Sequence, residues 1–375
     1  MRRMHIGVAG AGVLGRLLAW RLSRAGHRVT VFDPAPGPQA PDTGRIGETG
    51  ATYAAGFTAA GMLSPLAELD NAGWAVAQMG WRSLDLWREW APALGTLTTA
   101  DAAWLFRQQG SLMLAHGSDS GAASRVLARL EAVSAQAPNW PRPQALTGEA
   151  LQAKEPSLRP GLLGWCLPQE GQILPRAVMD ALAAAPGVEW RWGQVVERLE
   201  PGRLHLAGAA TQDCDWAVDV RGLGARPELP MRGVRGEVVW LQAPGVTLQR
   251  PIRLLHARHR VYVVPRPDHH FVVGASEVES EDRSPVSLKS AVELMAAAQS
   301  ALPALSEARI VHMEANLRPA LPDNEPHIEH RPGLLRINGL FRHGWLLAPA
   351  LVEKAWQQAG WGADETTETQ ETEHE

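Results

Sequence analysis

The stretch His5-Ile6-Gly7-Val8-Ala9-Gly10-Ala11-Gly12-Val13-Leu14-Gly15 decides the fold. His5 to Ala9 reads as a short strand, and the glycines behind it are spaced as a turn that opens a helix. Gly10 permits the tight turn, Gly12 lets a pyrophosphate approach bare backbone, and Gly15 lets the helix sit close on the sheet. The helix N-terminus then faces the phosphates. Leu14, Leu18, Leu22 and Ala25 share one helical face, Arg16, Arg21, Ser23 and Arg24 turn away from it, and the helix stops at Gly26. A second strand, Arg28 to Phe32, ends at Asp33 with Pro34 behind it. An acid about 20 residues past the glycines suits a ribose 2′-hydroxyl and repels a 2′-phosphate. A lone glycine pattern is weak, but the strand before, the helix after and the placed acid agree. Together they give one dinucleotide-binding unit, with Gly10, Ala11, Gly12, Val13, Leu14, Gly15, Asp33 and Pro34 at the cofactor.

The chain has 375 residues, enough for two domains with substantial cores. Its 20% charged and 45% hydrophobic residues are ordinary for a globular protein, and a net charge of −4 gives no reason to expect nucleic acid. Asp364 to Glu375 holds six acids and no Lys or Arg, so residues 1–363 carry 36 bases against 34 acids. The body is slightly basic, and the tail is expected to be disordered. Cys166 and Cys214 are the only cysteines, which argues for two inert buried thiols and against a disulfide framework or a zinc site. His256 and His259, His269 and His270, and His327 and His330 lack ligand spacing, so surface histidines and no metal are expected. Met1-Arg2-Arg3-Met4 runs straight into the first strand without a separate cleavage segment. With no run of about 18 apolar residues to span a membrane, the protein is expected to be cytoplasmic.

Further along, Ala51 to Glu68 concentrates small residues, either to pack a helix closely or to let backbone approach a ligand; sequence alone favours packing. Trp81, Leu84, Trp87 and Trp90 make a helical core face within residues 73–90. Strands are expected at 105–107, 110–115, 188–192, 195–199, 216–220 and 334–339, and helices at 124–133 and 176–185. The strand 216–220 runs into Arg221-Gly222-Leu223-Gly224-Ala225, either an ordinary exit or a turn at the ligand-binding end of an open sheet. A second, antiparallel domain follows. Residues 236–241 form a strand, 258–265 pairs with 271–275, and 286–302 is a helix with Leu288, Val292, Met295 and Leu302 on one stripe. In the long strand 309–317, alternation puts Glu314, Asn316 and Arg318 on one face and Met313, Ala315 and Leu317 on the other.

Several segments resemble a known family. Ala59-Ala60-Gly61-Met62-Leu63-Ser64-Pro65 with Glu68 is similar to the A-A-G-M-L-x-P-x-x-E signature of glycine oxidases of thiamine biosynthesis, in the D-amino-acid oxidase superfamily of FAD-dependent oxidoreductases. Glu155-Pro156-Ser157-Leu158 and Gly171 to Arg176 resemble its E-P-x-L and G-x-x-x-P-R patterns, and Tyr262-Val263-Val264-Pro265-Arg266 its Y-x-V-P-R position. Leu317-Arg318-Pro319 to Asp323 resembles L-R-P-x-x-x-D. Leu340 to Pro349, containing Arg342, His343, Gly344, Trp345 and Leu346, resembles the G-H-x-R-x-G-x-x-L-A-P turn, with Leu340 and Phe341 in place of the usual Gly-His pair.

The resemblance implies an α/β protein, α+β overall, with a Rossmann-like FAD-binding domain and a second, mostly antiparallel β-sheet substrate domain. The first would be assembled from residues 1–90, 148–226 and 326–363, the second from 91–147 and 227–325. Ala60, Gly61, Met62 and Leu63 would lie beside the flavin, Gly222 and Gly224 would return the chain to it, and residues 342–346 would bring amides toward it. Arg318 and Tyr262 would hold the substrate carboxylate, with Arg342 beside the substrate. A guanidinium suits that task because its fork matches a carboxylate with two parallel hydrogen bonds. Taken alone, each arginine reads more readily as a structural cap on a strand end, and the tyrosine as a half-buried core residue.

The implied reaction is hydride transfer from Cα of a neutral amine to FAD, giving an imine that water hydrolyses to glyoxylate, or another 2-oxo acid, and ammonia. Oxygen would be the final acceptor and hydrogen peroxide a product, and the family suggests a homo-oligomer. Two alternatives remain at this stage: a dehydrogenase or oxidase of another D-amino or N-methyl amino acid with a different acceptor, and a non-flavin NAD-binding protein.

Overall fold

The structure, a computed structural model, describes residues 3–40, 53–255 and 260–362. His256, His259, the acidic tail and residues 41–52 lie outside the described residues. The longer elements of the first half are β1 (His5–Ala9), α1 (Val13–Arg24), β2 (Arg28–Asp33), α2 (Trp74–Gly95), β3 (Ser111–Ala115), α3 (Ser120–Ser134), β4 (Gln144–Leu146), β5 (Leu163–Leu167), α4 (Pro175–Ala183), β6 (Val188–Trp192) and β7 (Trp216–Asp219). Those of the second half are β8 (Arg232–Gln242), β9 (Ile252–Leu255), β10 (Arg260–Pro265), β11 (His270–Gly274), α5 (Leu288–Ala301), β12 (Arg309–Ala320), β13 (His327–Arg331), β14 (Leu334–Asn338) and α6 (Gly344–Gln358).

One sheet has the order β13-β14-β7-β1-β2-β6, parallel throughout except for the edge strand β13. β1 therefore sits in the middle with apolar residues on both sides. Ile6 and Val8 pack with helices α1, α2, α4 and α6 in the largest core. Gly7 and Ala9 face the opposite way, against a small antiparallel sheet of residues 196–213 whose Leu204 leaves no room for a Cβ at Gly7. That small sheet adds two strands, Arg203–Leu206 and Thr211–Asp213, to the one expected near residue 196. The helix after the glycine turn departs from the expected amphipathic face at one position. Arg16 is 1% exposed, donating to the carbonyls of Ala11, Met179 and Pro38 beneath the rings of Phe57 and Trp192.

The second sheet has eight strands in the order β12-β8-β11-β10-β9-β3-β5-β4. It is antiparallel except where β9 lies parallel to β3. β4 and β5 pair with each other although they flank residue 148, so the expected boundary there falls between neighbouring strands. The α5 stripe also differs from expectation. Ala291, Leu294, Ala298 and Ala301 face the sheet, while Leu288 and Val292 are 80% and 53% exposed. This sheet presents Val238, Val264 and Val272 toward the first domain and buries Val239, Val263 and Val273 under α5. Alternation along β8, β10 and β11 thus gives the sheet a dry face and a face for the site.

Candidate active site

A cavity of about 1150 Å³ is lined from both large sheets, above the roughly 300–1,000 Å³ of ordinary ligand sites. At its floor Gly10 adopts φ 107° and donates to the Phe32 carbonyl at 2.8 Å. A Cβ on Gly15 would collide with the Gly10 carbonyl, so the third glycine is what allows α1 to begin there. Gly12 is different. A Cβ on it would have no neighbour nearer than Ala54 at 3.9 Å, and it faces open cavity. Asp33 lines the same floor, and its Oδ2 accepts from the Ala11 amide at 2.6 Å, which fixes the turn against the end of β2. Gly222 and Gly224 also line the cavity, and the Gly222 amide donates to Asn338 at the end of β14. Asn338 carries no motif and was not anticipated. Only its place at a strand end beside the glycine turn could have suggested it.

Residues 53–68 are not one helix. They form a 3-10 turn at Ala55–Phe57, a two-residue strand at Met62–Leu63 and a short helix at Pro65–Glu68. Close packing is real at Gly61, which has φ 65° and is pressed against Ile173 and Pro175, but the backbone on either side lines the cavity. The segment is tied to both sheets. The amide of Asn316 donates to Tyr53 O and Thr58 Oγ1, Arg266 donates to Ala60 O, and Trp345 Nε1 donates to Gly56 O at 2.9 Å. Tyr53 donates to the buried carboxylate of Glu314, which also accepts from Arg176 and Trp240. Burial, reinforced by that carboxylate, pushes the Tyr53 phenol up to about 12.

Of the residues expected at the cofactor, Gly10, Gly12, Val13, Leu14, Asp33, Pro34, Ala60, Gly61, Met62, Gly222, Gly224, Arg342, Gly344, Trp345 and Leu346 line the cavity. Ala11, Gly15, Leu63 and His343 stand behind its wall. Ala11 is held by Asp33, Gly15 packs on Gly10, Leu63 alternates into the main core and His343 turns to Glu68.

Above this floor the second sheet brings Tyr262 and Arg318 to the cavity, and the turn between β14 and α6 brings Arg342. The expected alternation on β12 is present, since Glu314, Asn316 and Arg318 all point to this side. The two arginines are electrically unlike. Arg342 meets Glu68 at 3.4 Å and Glu277 at 3.5 Å, and Arg253 donates to Glu68 at 2.9 Å. Burial would raise the Glu68 carboxyl, but Arg342, Arg253 and His343 outweigh it and hold it down to about 2. Burial in turn lowers His343 to about 4, so it is neutral at pH 7. Arg318 has only main-chain partners, Arg235 O at 3.3 Å and Ser276 O at 2.9 Å. Among the described residues no carboxylate bridges it, and two of its five N–H donors are spent on these carbonyls. Burial lowers its pKa and likewise raises that of the Tyr262 phenol. Arg253 was missed because an arginine inside the strand Ile252–Leu255 carries no pattern of its own.

A parallel sheet with a glycine turn, opening into a cavity roofed by a second sheet that carries arginines, defines a dinucleotide-dependent oxidoreductase. The profile of the family described as FAD dependent oxidoreductase matches residues 5–354, and the chain belongs to that family. A Rhizobium etli protein assigned to thiamine biosynthesis as the oxidoreductase ThiO is 36% identical over 93% of this chain and 94% of its own. A glycine oxidase of Bacillus licheniformis is 27% identical over 92% of this chain and 90% of its own. Among solved structures, glycine oxidase from Bacillus cereus superposes with a TM-score of 0.77 at 22% identity, covering 97% of this chain and 99% of that one. Iminodiacetate oxidase from Chelativorans sp. BNC1 gives 0.77 at 20%, covering 96% of each. The residues present fit FAD, with open space over Gly12, a helix N-terminus behind it and a volume suited to a large dinucleotide. No helix among the described residues is long and apolar enough to cross a membrane.

Proposed function

We propose that the protein oxidises glycine, or a comparably small amine or D-amino acid, to an imine that water converts to the 2-oxo acid and ammonia. The supporting observation is the Arg318 guanidinium, which lines the cavity with two carbonyl partners and, among the described residues, no carboxylate bridging it. A buried cation without a counter-ion is costly, and a substrate carboxylate supplies one through the donors still free. Arg342 is already matched by Glu68 and Glu277, so it shapes the field beside the substrate and leaves the gripping to Arg318. The Tyr262 hydroxyl, kept protonated by its burial, donates to the same carboxylate. FAD, when bound, supplies the two-electron acceptor, and would be held by Gly10, Gly12, Val13, Leu14, Asp33, Ala60 to Met62, Gly222, Gly224 and Gly344 to Leu346. The chain's contribution is to fix the distance and angle of Cα and to exclude water from it. No side chain is needed as a base, because the substrate reacts as the free amine. On this reading the cofactor domain comprises residues 1–90, 148–226 and 326–363 and the substrate domain residues 91–147 and 227–325, with β5 extending the second sheet past residue 148.

Similarity to ThiO and to a glycine oxidase supports the choice of glycine and a place in thiamine biosynthesis. The test is the visible spectrum of the purified protein without oxygen, before and after glycine. A yellow protein that bleaches is expected, whereas a yellow protein unchanged by glycine would reject this substrate and a colourless one the cofactor. Peroxide released on re-admitting air checks oxygen as acceptor. Sedimentation of the pure protein checks the proposed homo-oligomer, and fractionation of cells the proposed cytoplasmic location.

A further inference from the structure

Two main-chain carbonyls, of Arg235 and Ser276, hold the Arg318 guanidinium, and they come from different segments. Arg235 lies in β8, and Ser276 follows the end of β11. Their spacing decides where the guanidinium fork points. Glu237 joins them. Its Oε1 accepts from Arg235 Nε at 3.2 Å and Nη2 at 2.8 Å, and its Oε2 accepts from Ser276 Oγ at 2.8 Å. The main chains are tied as well, since the Glu237 amide donates to Ser276 Oγ at 3.0 Å and the Ser276 amide to Glu237 O at 3.2 Å. A third anchor comes from the Ser287 amide, which donates to Glu237 Oε1 at 2.8 Å at the start of α5.

Glu237 itself is 1% exposed and does not line the cavity. Strand alternation explains this. Gly236 faces Arg318, so closely that a Cβ there would lie 2.5 Å from the guanidinium carbon, and the next side chain points to the other face of the sheet. The carboxylate is therefore a clamp behind the wall. Burial alone would raise its pKa, but hydrogen bonds from Ser290, Ser287, Arg235 and Ser276 lower it, so the clamp is ionised at neutral pH.

We infer that Glu237 is a positioning residue for the substrate carboxylate, acting through the Arg235 and Ser276 carbonyls that aim Arg318. The inference rests on the reading of Arg318 as the carboxylate grip. Glu237→Gln keeps the shape, but sets an amide N–H₂ against the Ser276 hydroxyl or the Arg235 guanidinium. Ser276→Ala removes one bond of the clamp and is the milder change. Both are made in the FAD-loaded full chain and compared with Arg318→Ala. The readouts are the glycine concentration for half bleaching and the Kd of glycolate, a carboxylate that cannot form an imine, from its perturbation of the flavin spectrum. Glu237→Gln is expected to raise both by about tenfold and Ser276→Ala by about threefold. Flavin content should be unchanged, and the limiting bleaching rate should fall less than the affinity. A residue that merely held the fold would lower flavin content and thermal stability without this selective loss of carboxylate affinity. If Glu237→Gln fails to fold, Ser276→Ala carries the test. Parental glycolate binding in the clamp variants, with Arg318→Ala weakened tenfold or more, would overturn the positioning role and leave the grip standing. Parental binding in Arg318→Ala would overturn the grip and, with it, the clamp.

Discussion

Gly12 and Gly15 sit three residues apart in one motif, yet the structure gives them different work. A Cβ at Gly15 meets the Gly10 carbonyl, so Gly15→Ala should disrupt the turn itself and lower the yield of folded protein. A Cβ at Gly12 meets nothing within 3.9 Å, so Gly12→Ala should fold with a circular dichroism spectrum like the parent's but purify without yellow colour. On the proposed placement of the cofactor, the added methyl would occupy space its pyrophosphate needs. The glycines were legible because backbone geometry leaves few residue types for those places, and Asp33 because an acid at that spacing suits a ribose hydroxyl. Arg16 was not, because nothing in a helical pattern tells a solvated arginine from one that satisfies three carbonyls in the core. Arg16→Met should therefore destabilise by about 2–3 kcal/mol in chemical unfolding, since it leaves those carbonyls without donors.

Among the elements, α5 shows how periodicity can be met and still misassigned. Leu288, Val292 and Met295 have helical spacing, but so do Ala291, Leu294 and Ala298, and only the sheet beneath selects between the two faces. The sheet selected the small residues, which let the helix lie close to β8 and β10. Leu294→Ala should cost about 3 kcal/mol in denaturant unfolding, whereas Leu288→Gln should stay within about 0.5 kcal/mol. Reversing that order would show that the sequence stripe was right after all. The strands were more legible, because each carries its own alternation. Sequence supplied the hairpin partners β10 and β11 but not the distant ones, including the parallel pairing of β9 with β3, which only the assembled sheet sets.

For the whole molecule, the charges between the two sheets set the response to acid. His343 titrates near 4 when folded and 6.5 in a model peptide, so the unfolded chain takes up its proton first and stability falls as pH drops below 6.5. Glu68, near 2 when folded against 4.5, adds a second loss as pH falls below 4.5. Thermal unfolding should thus be level above pH 7 and decline by roughly 2 °C or more between pH 6.5 and 4.5. His343→Asn should flatten that first decline and, by removing one of the three groups that hold Glu68 down, shrink the second. The same closeness of distant segments has a consequence in time. The cavity needs Gly10 from one end of the chain and Trp345 from the other, and β1 is flanked by a strand that begins at residue 216. A nascent chain on the ribosome exposes the glycine turn some three hundred residues before its other wall exists. Cofactor loading is therefore an event that follows synthesis, and a chain cut short anywhere before α6 should emerge unable to keep its flavin.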